Sequence, residues 1–375
     1  MRGKRCAALL AALCVALVST GCWDATDIND KALITLVVTD RQDDQFVFYV
    51  EVPNLVAANQ QENGGTRQQY PIVKGAGSSY AQARRQLDAQ MDKPIFLGTV
   101  RALILTDSLA EHDIKEYFYR MQTMVDYRRA LEVVTTRTPS EELLSIVPEN
   151  NVSIGYSIDE TVDSLKTRGR VVVYTVSDVL ELLYSDQCFV LINIDVIEGR
   201  LAYTGYSIMR DGKLVGFIPL EESWGLVWLL GHHISRMYTV ETGAYLATVK
   251  VDGLSKEITP HYLDGQVSFD IKMKFKATTM YIDNDIKFDE RQQEIVKDML
   301  QKALISDITG AINHSRDIGC DYLGFKDKFR VSCPNIVEQL DWTSAYGNAL
   351  FNISVSADLD PGGLLDMEAQ GEQLQ

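Results

Sequence analysis

Apolar and polar positions follow several distinct rhythms along this 375-residue chain. Residues 6–18 form a mostly apolar run without charge, too short for a comfortable membrane span. Residues 33–39 and 45–52, rich in Val, Ile, Leu and Phe, flank Arg41-Gln42-Asp43-Asp44 and read as a hairpin or as adjacent strands. The polar stretch 59–69, with Gly64-Gly65, reads as a loop. Tyr80, Ala83, Leu87 and Met91 recur at helical spacing within 78–91, and Pro94 stops that helix. Residues 98–106 read as a buried strand. A capping box with Ser108 at the N-cap and Glu111 at N3 then opens a helix carrying Ile114, Phe118, Met121 and Val125 on one face. A strand at 131–135 and a helix start at Thr138-Pro139-Ser140-Glu141 follow. Residues 150–170 are polar and mixed and read as exposed; 171–173 and 189–196 read as β, and 177–184 as a short helix. Asp211-Gly212 joins 203–209 to 214–218 as a hairpin, because this pair tolerates the positive φ angles of a type I′ turn. Residues 246–251 and 350–355 read as strands. From Val267 to Phe275, strict alternation with Ser268, Asp270, Lys272 and Lys274 predicts a strand with one dry face and one charged face. Residues 289–318 form the longest amphipathic pattern, with Ile295, Met299, Ala303, Ile308 and Ile312 in one stripe, Val296, Leu300, Leu304 and Ala311 widening it, and a potential kink at Gly310.

The expected fold class is therefore α+β, with mixed and antiparallel sheets and packed helices in two or three domains and a long amphipathic helix near the C-terminus. A composition shift at Glu198-Gly199-Arg200 divides it into 22–200 and 201–365, with 366–375 as a flexible tail. Apolar residues make up 46 % and charged residues 23 % of the chain, an ordinary globular composition.

The first 24 residues change the picture most. Arg2, Lys4 and Arg5 precede the apolar run; Ser19-Thr20-Gly21 follows it, and then Cys22. That layout is an export signal, residues 1–21, of the lipoprotein type. Cleavage between Gly21 and Cys22 leaves the thiol to carry a diacylglyceryl group, and two acyl chains hold a domain durably to a membrane. Removal of the signal, which carries three basic and no acidic residues, takes the net charge from −16 to −19. A surface of that sign disfavours nucleic acid and flat contact with anionic lipid. The mature part is expected to be soluble and tethered at one end. Cys188, Cys320 and Cys333 remain; a Cys320–Cys333 bridge and buried free thiols are both open.

Catalytic and metal motifs are not visible. His232-His233 are adjacent and lack the i,i+4 or i,i+2 spacing of a metal pair. Asp283-Asn284-Asp285 begins like a calcium loop but lacks the glycine and the ligand spacing beyond. Nucleophile-elbow and phosphate-loop patterns are absent from the sequence. No catalytic residue, metal ligand or cofactor is expected, apart from the covalent lipid on Cys22.

Several stretches together resemble the Ger(x)C family, the lipoprotein C subunit of bacterial spore germinant receptors. They are Gly21-Cys22-Trp23-Asp24 and Asp27-Ile28 at the start, then Leu97-Gly98, Ala102 to Thr106, Leu109-Ala110 and Asp126-Tyr127-Arg128. In the second half they are Thr204-Gly205-Tyr206, Lys213 to Gly216, Glu221-Glu222-Ser223, Gly225-Leu226-Val227-Trp228, Cys320 to Phe325 and Asp341-Trp342. The chain departs from the family at Thr99, where a His is common, and at Ser19, where the lipobox has Leu. The resemblance implies a non-enzymatic subunit on the outer face of the spore inner membrane. It would act beside integral membrane A-type and B-type subunits in nutrient-triggered germination. Trp23 and Asp24 read first as a spacer with a first packing contact, and secondly as candidates for contact with those subunits. Trp224, Trp228 and Trp342 are expected in the core. A solute-binding lipoprotein of a membrane transporter is the alternative, which normally calls for two α/β lobes.

Overall fold

The structure is a computed structural model that describes residues 27–53, 70–123, 127–148, 153–283 and 288–361. The flexible tail expected at 366–375 lies outside them. After a 3-10 turn, Ile28–Asp30, the first half runs β1 (Ala32–Leu33), β2 (Leu36–Gln42), β3 (Gln45–Glu51), β4 (Ile72–Gly77), α1 (Tyr80–Asp88), β5 (Ile95–Phe96) and β6 (Ala102–Thr106). It continues through α2 (Asp107–Ala110), α3 (Lys115–Thr123), β7 (Val133–Thr136), α4 (Ser140–Ser145), α5 (Ile154–Thr167), α6 (Val176–Tyr184), β8 (Phe189–Ile197), β9 (Arg200–Arg210) and β10 (Lys213–Pro219). The second half is α7 (Trp224–Leu230), β11 (Ser235–Glu241), β12 (Leu246–Leu263), β13 (Gln266–Ile282), α8 (Glu290–Asp317), α9 (Phe325–Ser332), α10 (Pro334–Val337), α11 (Trp342–Gly347) and β14 (Leu350–Asp360).

One eight-stranded sheet has the order β10-β9-β8-β7-β6-β2-β3-β4. Its middle four strands are parallel and both flanks are antiparallel. Parallel strands are covered on both faces, which explains why β6 and β8 read as nearly continuous apolar runs. The pleat still sorts them. Leu103, Leu105, Phe189 and Leu191 pack with α1, α2, α3 and α6 on one face. Ala102, Ile104, Val190 and Ile192 pack on the other face in a core that also holds α4, α5 and the second half of the chain. The second sheet, β11-β12-β13-β14, has the alternation expected for Val267 to Phe275: Val267, Phe269, Ile271, Met273 and Phe275 are buried beneath α8. This α+β architecture is the one the sequence pattern predicts.

The expected boundary at residue 200 falls at the start of β9. Glu198 and Gly199 take φ values of 52° and 77°, as Asp211 and Gly212 take 54° and 76°, so each pair turns a hairpin. The large sheet therefore runs straight through that position, and the apolar core continues across it.

Several local readings change. Residues 154–167 are a helix, not an exposed polar stretch: Ile154, Ile158 and Val162 recur every fourth position and are buried, and Ser153 caps the N-terminus. Residues 171–173 are not a strand. Thr106, not Ser108, caps α2, because the chain turns helical at once as β6 ends. On α8 Val296, Leu300, Leu304, Ile308, Ala311 and Ile312 of the expected face are buried, whereas Ile295 lies at its exposed margin, and the helix runs unbroken through Gly310. Cys320 bonds to Cys188, so neither a Cys320–Cys333 bridge nor three free thiols is correct; among the described residues Cys333 is the free cysteine. The Cα atoms of Cys188 and Cys320 stand 5.7 Å apart across 132 residues of sequence, where the chain leaving α8 meets the end of β9 and Arg210 Nη1 donates to Ile318 O at 3.3 Å.

Candidate functional site

Gly21, Cys22, Trp23 and Asp24 lie outside the described residues, which begin at Asp27. The entry point itself is firmly fastened. Asp27 caps the first turn, accepting from the Asn29 N–H at 2.9 Å. Ala32 and Ile34 donate their N–H groups to Pro94 O and Phe96 O at 2.9 and 3.2 Å, and Lys93 Nζ donates to Asn29 O at 2.6 Å. Beside this entry lies an open groove of about 590 Å³, walled by Ile28, Leu33, Val52, Pro71, Val73 and Met91, with Lys31 and Lys93 along it. Ile28 is 53 % exposed there.

At the carboxyl ends of β2, β6, β7 and β8, where open α/β sheets usually bind ligands, the chain places a layer of its own polar side chains. Asp195 receives Arg137 Nε and Nη2 at 3.1 and 3.0 Å, the Arg137 backbone N–H at 2.7 Å, and Asn193 Nδ2 and Thr204 Oγ1 at 2.8 Å each. Burial opposes ionisation of Asp195, but these donors outweigh it and hold its carboxyl below the usual range. Asp40 accepts from Thr106 Oγ1 at 2.6 Å and Ser140 Oγ at 2.7 Å. Asp107, between them, is pushed up to about 6 by burial and by the charge of Asp195. Further along, the Glu51 carboxylate is buried against the N-terminus of α5, accepting from Thr35 Oγ1 and Ser153 Oγ at 2.6 Å each and from Ile154 N at 2.7 Å. This layer ties strands and helices together; it has no nucleophile–base pair of a hydrolase.

The Glu221 to Trp228 run is structural. Gly225 lets α7 lie directly on α8: a Cβ there would stand 1.9 Å from Asp307 O. Trp228 Nε1 donates to Tyr238 Oη at 3.0 Å, and Tyr238 Oη and Arg236 Nη1 donate to Asp307 Oδ2 at 2.5 and 2.9 Å. The Arg236 guanidinium also stacks 4.3 Å from the Trp224 ring. Lys256 Nζ caps the end of α7 at the carbonyls of Trp228, Leu229 and Gly231, and burial lowers it to about 8. Trp224 and Trp228 are buried; Trp342 is half-buried, stacked on Tyr346. His232 and His233 are exposed in the turn after α7. Among the described residues no group of three or more His, Cys, Asp or Glu side chains is arranged to hold a metal ion, and no helix is long and apolar enough to cross a membrane.

A fourth feature, which no sequence motif marks, is the seam where Cys188–Cys320 lies. There Asp321 accepts from Phe325 N at 3.1 Å, Lys326 N at 2.7 Å and Trp342 Nε1 at 3.1 Å. Burial raises its carboxyl to about 6 despite these donors. The joint occurrence of Cys320-Asp321 and Asp341-Trp342 was the available signal, but pairing them needs the tertiary fold.

These features define a class: an α+β protein whose sheet-end polar layer ties strands to helices. The same fold is found in the crystal structure of the GerBC protein, with a TM-score of 0.57 and 14 % identity, covering 86 % of this chain and 96 % of that one. Residues 24–196 match the spore germination protein N-terminal domain, and residues 204–363 match the spore germination B3/GerAC-like C-terminal domain. The chain belongs to this family, the Ger(x)C proteins of spore germination. Among relatives from Bacillus subtilis (strain 168), spore germination protein KC is 20 % identical over 92 % of both chains. Spore germination protein B3 is 20 % identical over 93 % of this chain and 94 % of its own, and YndF is 18 % identical over 95 % and 96 %.

Proposed function

We propose that the chain is the lipid-anchored, non-enzymatic C-type subunit of a germinant receptor, acting with integral membrane A-type and B-type subunits on the outer face of the spore inner membrane. The observation that carries the reading is the position of Cys22 relative to the folded body. Five residue steps separate it from Asp27, a span of at most about 17 Å. A diacylglyceryl group on Cys22 would therefore bring the entry turn and its apolar groove close to the bilayer surface, where polytopic partners present their loops. Trp23 and Asp24 lie within this short tether and are the nearest residues for such contact.

Replacement of Cys22 is the test. Cys22→Ala is expected to shift the protein from the inner-membrane fraction and to abolish the germination response that depends on this receptor. Two polytopic receptor-type subunits are expected to co-purify with the tagged wild-type chain from spore membranes. Normal germination of the Cys22→Ala strain, or co-purification of a transporter permease instead, would overturn the assignment.

A further inference from the structure

The second sheet ends in an open edge. In the order β11-β12-β13-β14, the 11 residues of β14 pair in parallel with β13 on one side and with no strand on the other among the described residues. One of its carbonyls, Val355 O, takes a side-chain donor instead, Gln301 Nε2 of α8, at 3.3 Å. Its dry face is only partly covered. Phe351, Ile353, Val355 and Leu359 are half-buried, whereas their register partners on β13, Phe269, Ile271, Met273 and Ala277, are fully buried. We propose that residues 364–370 of this chain, which lie outside the described residues, fold back antiparallel along β14 as a fifth strand and cover this edge.

The chain leaves β14 at Asp360 and reaches this segment through Pro361-Gly362-Gly363. Proline presets φ for the first position of a turn, and glycine takes the positive φ that closes a three-residue hairpin loop. From Leu365 onward the residues alternate strictly: Leu365, Met367 and Ala369 are apolar, Asp366, Glu368 and Gln370 polar. That is the pattern of a strand with one dry face. Composition alone reads 366–375 as a flexible tail; beside an open edge the alternation has a partner. A three-residue loop sets Leu364 opposite Asp360, and the faces then match. Leu365, Met367 and Ala369 come opposite Leu359, Ala357 and Val355 on the dry face; Asp366, Glu368 and Gln370 come opposite Asp358, Ser356 and Ser354 on the wet face. A slip of one residue would drive both acids into the dry face.

Charge points the same way. The wet face of β13 carries Lys272, Lys274 and Lys276, whose register partners on β14 are Ser354, Ser356 and Asp358. Glu368 would lie beyond Ser356, two strand spacings or about 10 Å from Lys274, a gap that a glutamate and a lysine side chain together span. Asp366 would meet Asp358, a like-charge contact that Lys276 on the far side of Asp358 offsets. Continuity favours this occupant over a second copy of the chain: a three-residue loop holds the segment at the edge at an effective concentration on the order of millimolar. Covering the edge also removes a template on which another chain could pair.

Peptide-resolved hydrogen exchange of the full chain tests the proposal. Peptides covering 364–370 are expected to exchange at least about tenfold more slowly than in the urea-unfolded chain, the factor that burial of one side chain such as Met367 supports. Met367→Asp puts a charge on the dry face and is expected to erase that protection and to speed exchange in 350–360. Gln370→Asp puts the same charge on the wet face and is expected to leave both unchanged. Exchange in β6, in the other sheet, reports that each variant is folded. Exchange of 364–370 at the unfolded rate, or equal effects of the two variants, would overturn the proposal. So would protection that is lost on dilution together with a dimer in sedimentation, which assigns the edge to a second copy. Protection seen only when spore membrane proteins co-purify would likewise overturn it and assign the edge to a partner.

Discussion

Gly225→Ala is the perturbation whose cost the structure defines most directly. α7 crosses α8 so closely that an added Cβ would lie 1.9 Å from Asp307 O, 2.6 Å from Asp307 C and 2.8 Å from the Ala311 Cβ. Ordinary contact begins near 3.4 Å, so the nearest pair falls short by about 1.5 Å. The opposing atoms are backbone, and no rotamer change relieves them; α7 must move away from α8. Overpacking of this kind costs about 1–3 kcal/mol, and a displacement this large belongs at the upper end. The same shift pulls Trp228 Nε1 off Tyr238 Oη, loosening a buried hydrogen bond worth about 1 kcal/mol. Alanine regains about 1 kcal/mol in helix propensity. The expected net loss is about 3 kcal/mol. Urea unfolding followed by tryptophan fluorescence reads it, since Trp224 and Trp228 sit on α7 itself. Gly310→Ala provides the contrast: it lies inside α8 with nothing within 4 Å of its added Cβ, so it should stabilise by up to about 1 kcal/mol. A Gly225→Ala protein as stable as wild type, or stabilised like Gly310→Ala, would refute the close-crossing argument.

Peptide mapping without reduction should recover Cys188 joined to Cys320 and, among the cysteines of the described residues, Cys333 open to alkylation in unfolded protein; removing the bridge by Cys188→Ser with Cys320→Ser should cost about 2–5 kcal/mol. Glu51→Ala should destabilise by about 3 kcal/mol or more in denaturant titration, because Thr35, Ser153 and the first N–H groups of α5 lose a shared buried acceptor. The folded Asp321 carboxyl titrates at about 6 against an ordinary 3.8, so between those pH values the folded chain holds the extra proton and stability falls as pH rises. At about 1.4 kcal/mol per pH unit the full effect is on the order of 3 kcal/mol; wild type should therefore lose stability from pH 4 to pH 6.5 relative to Asp321→Asn, and parallel curves would contradict the enclosed carboxyl.

Where a segment's local pattern and its environment agree, the sequence was readable. Val267 to Phe275 alternates because one face of β13 is dry, and Asp211-Gly212 turns a hairpin because that pair tolerates positive φ. Residues 154–167 were harder: Asp159, Glu160, Asp163 and Lys166 mask a buried face of only Ile154, Ile158 and Val162. At Glu198-Gly199, where the composition shifts and the two family matches part, the chain makes a hairpin turn within the large sheet.

The α+β class and the family motifs were thus determined by the sequence alone, because each is written in neighbouring residues or in a short period. Tertiary structure decided which distant groups meet: Cys188 with Cys320, Asp321 with Trp342, Glu51 with the start of α5, and Asp195 with Arg137. Those pairings span 132, 21, 103 and 58 residues, and each depends on how sheets and helices stack. Local propensity does not encode that stacking; it follows from burying both faces of one large sheet and the inner face of a second in a shared core.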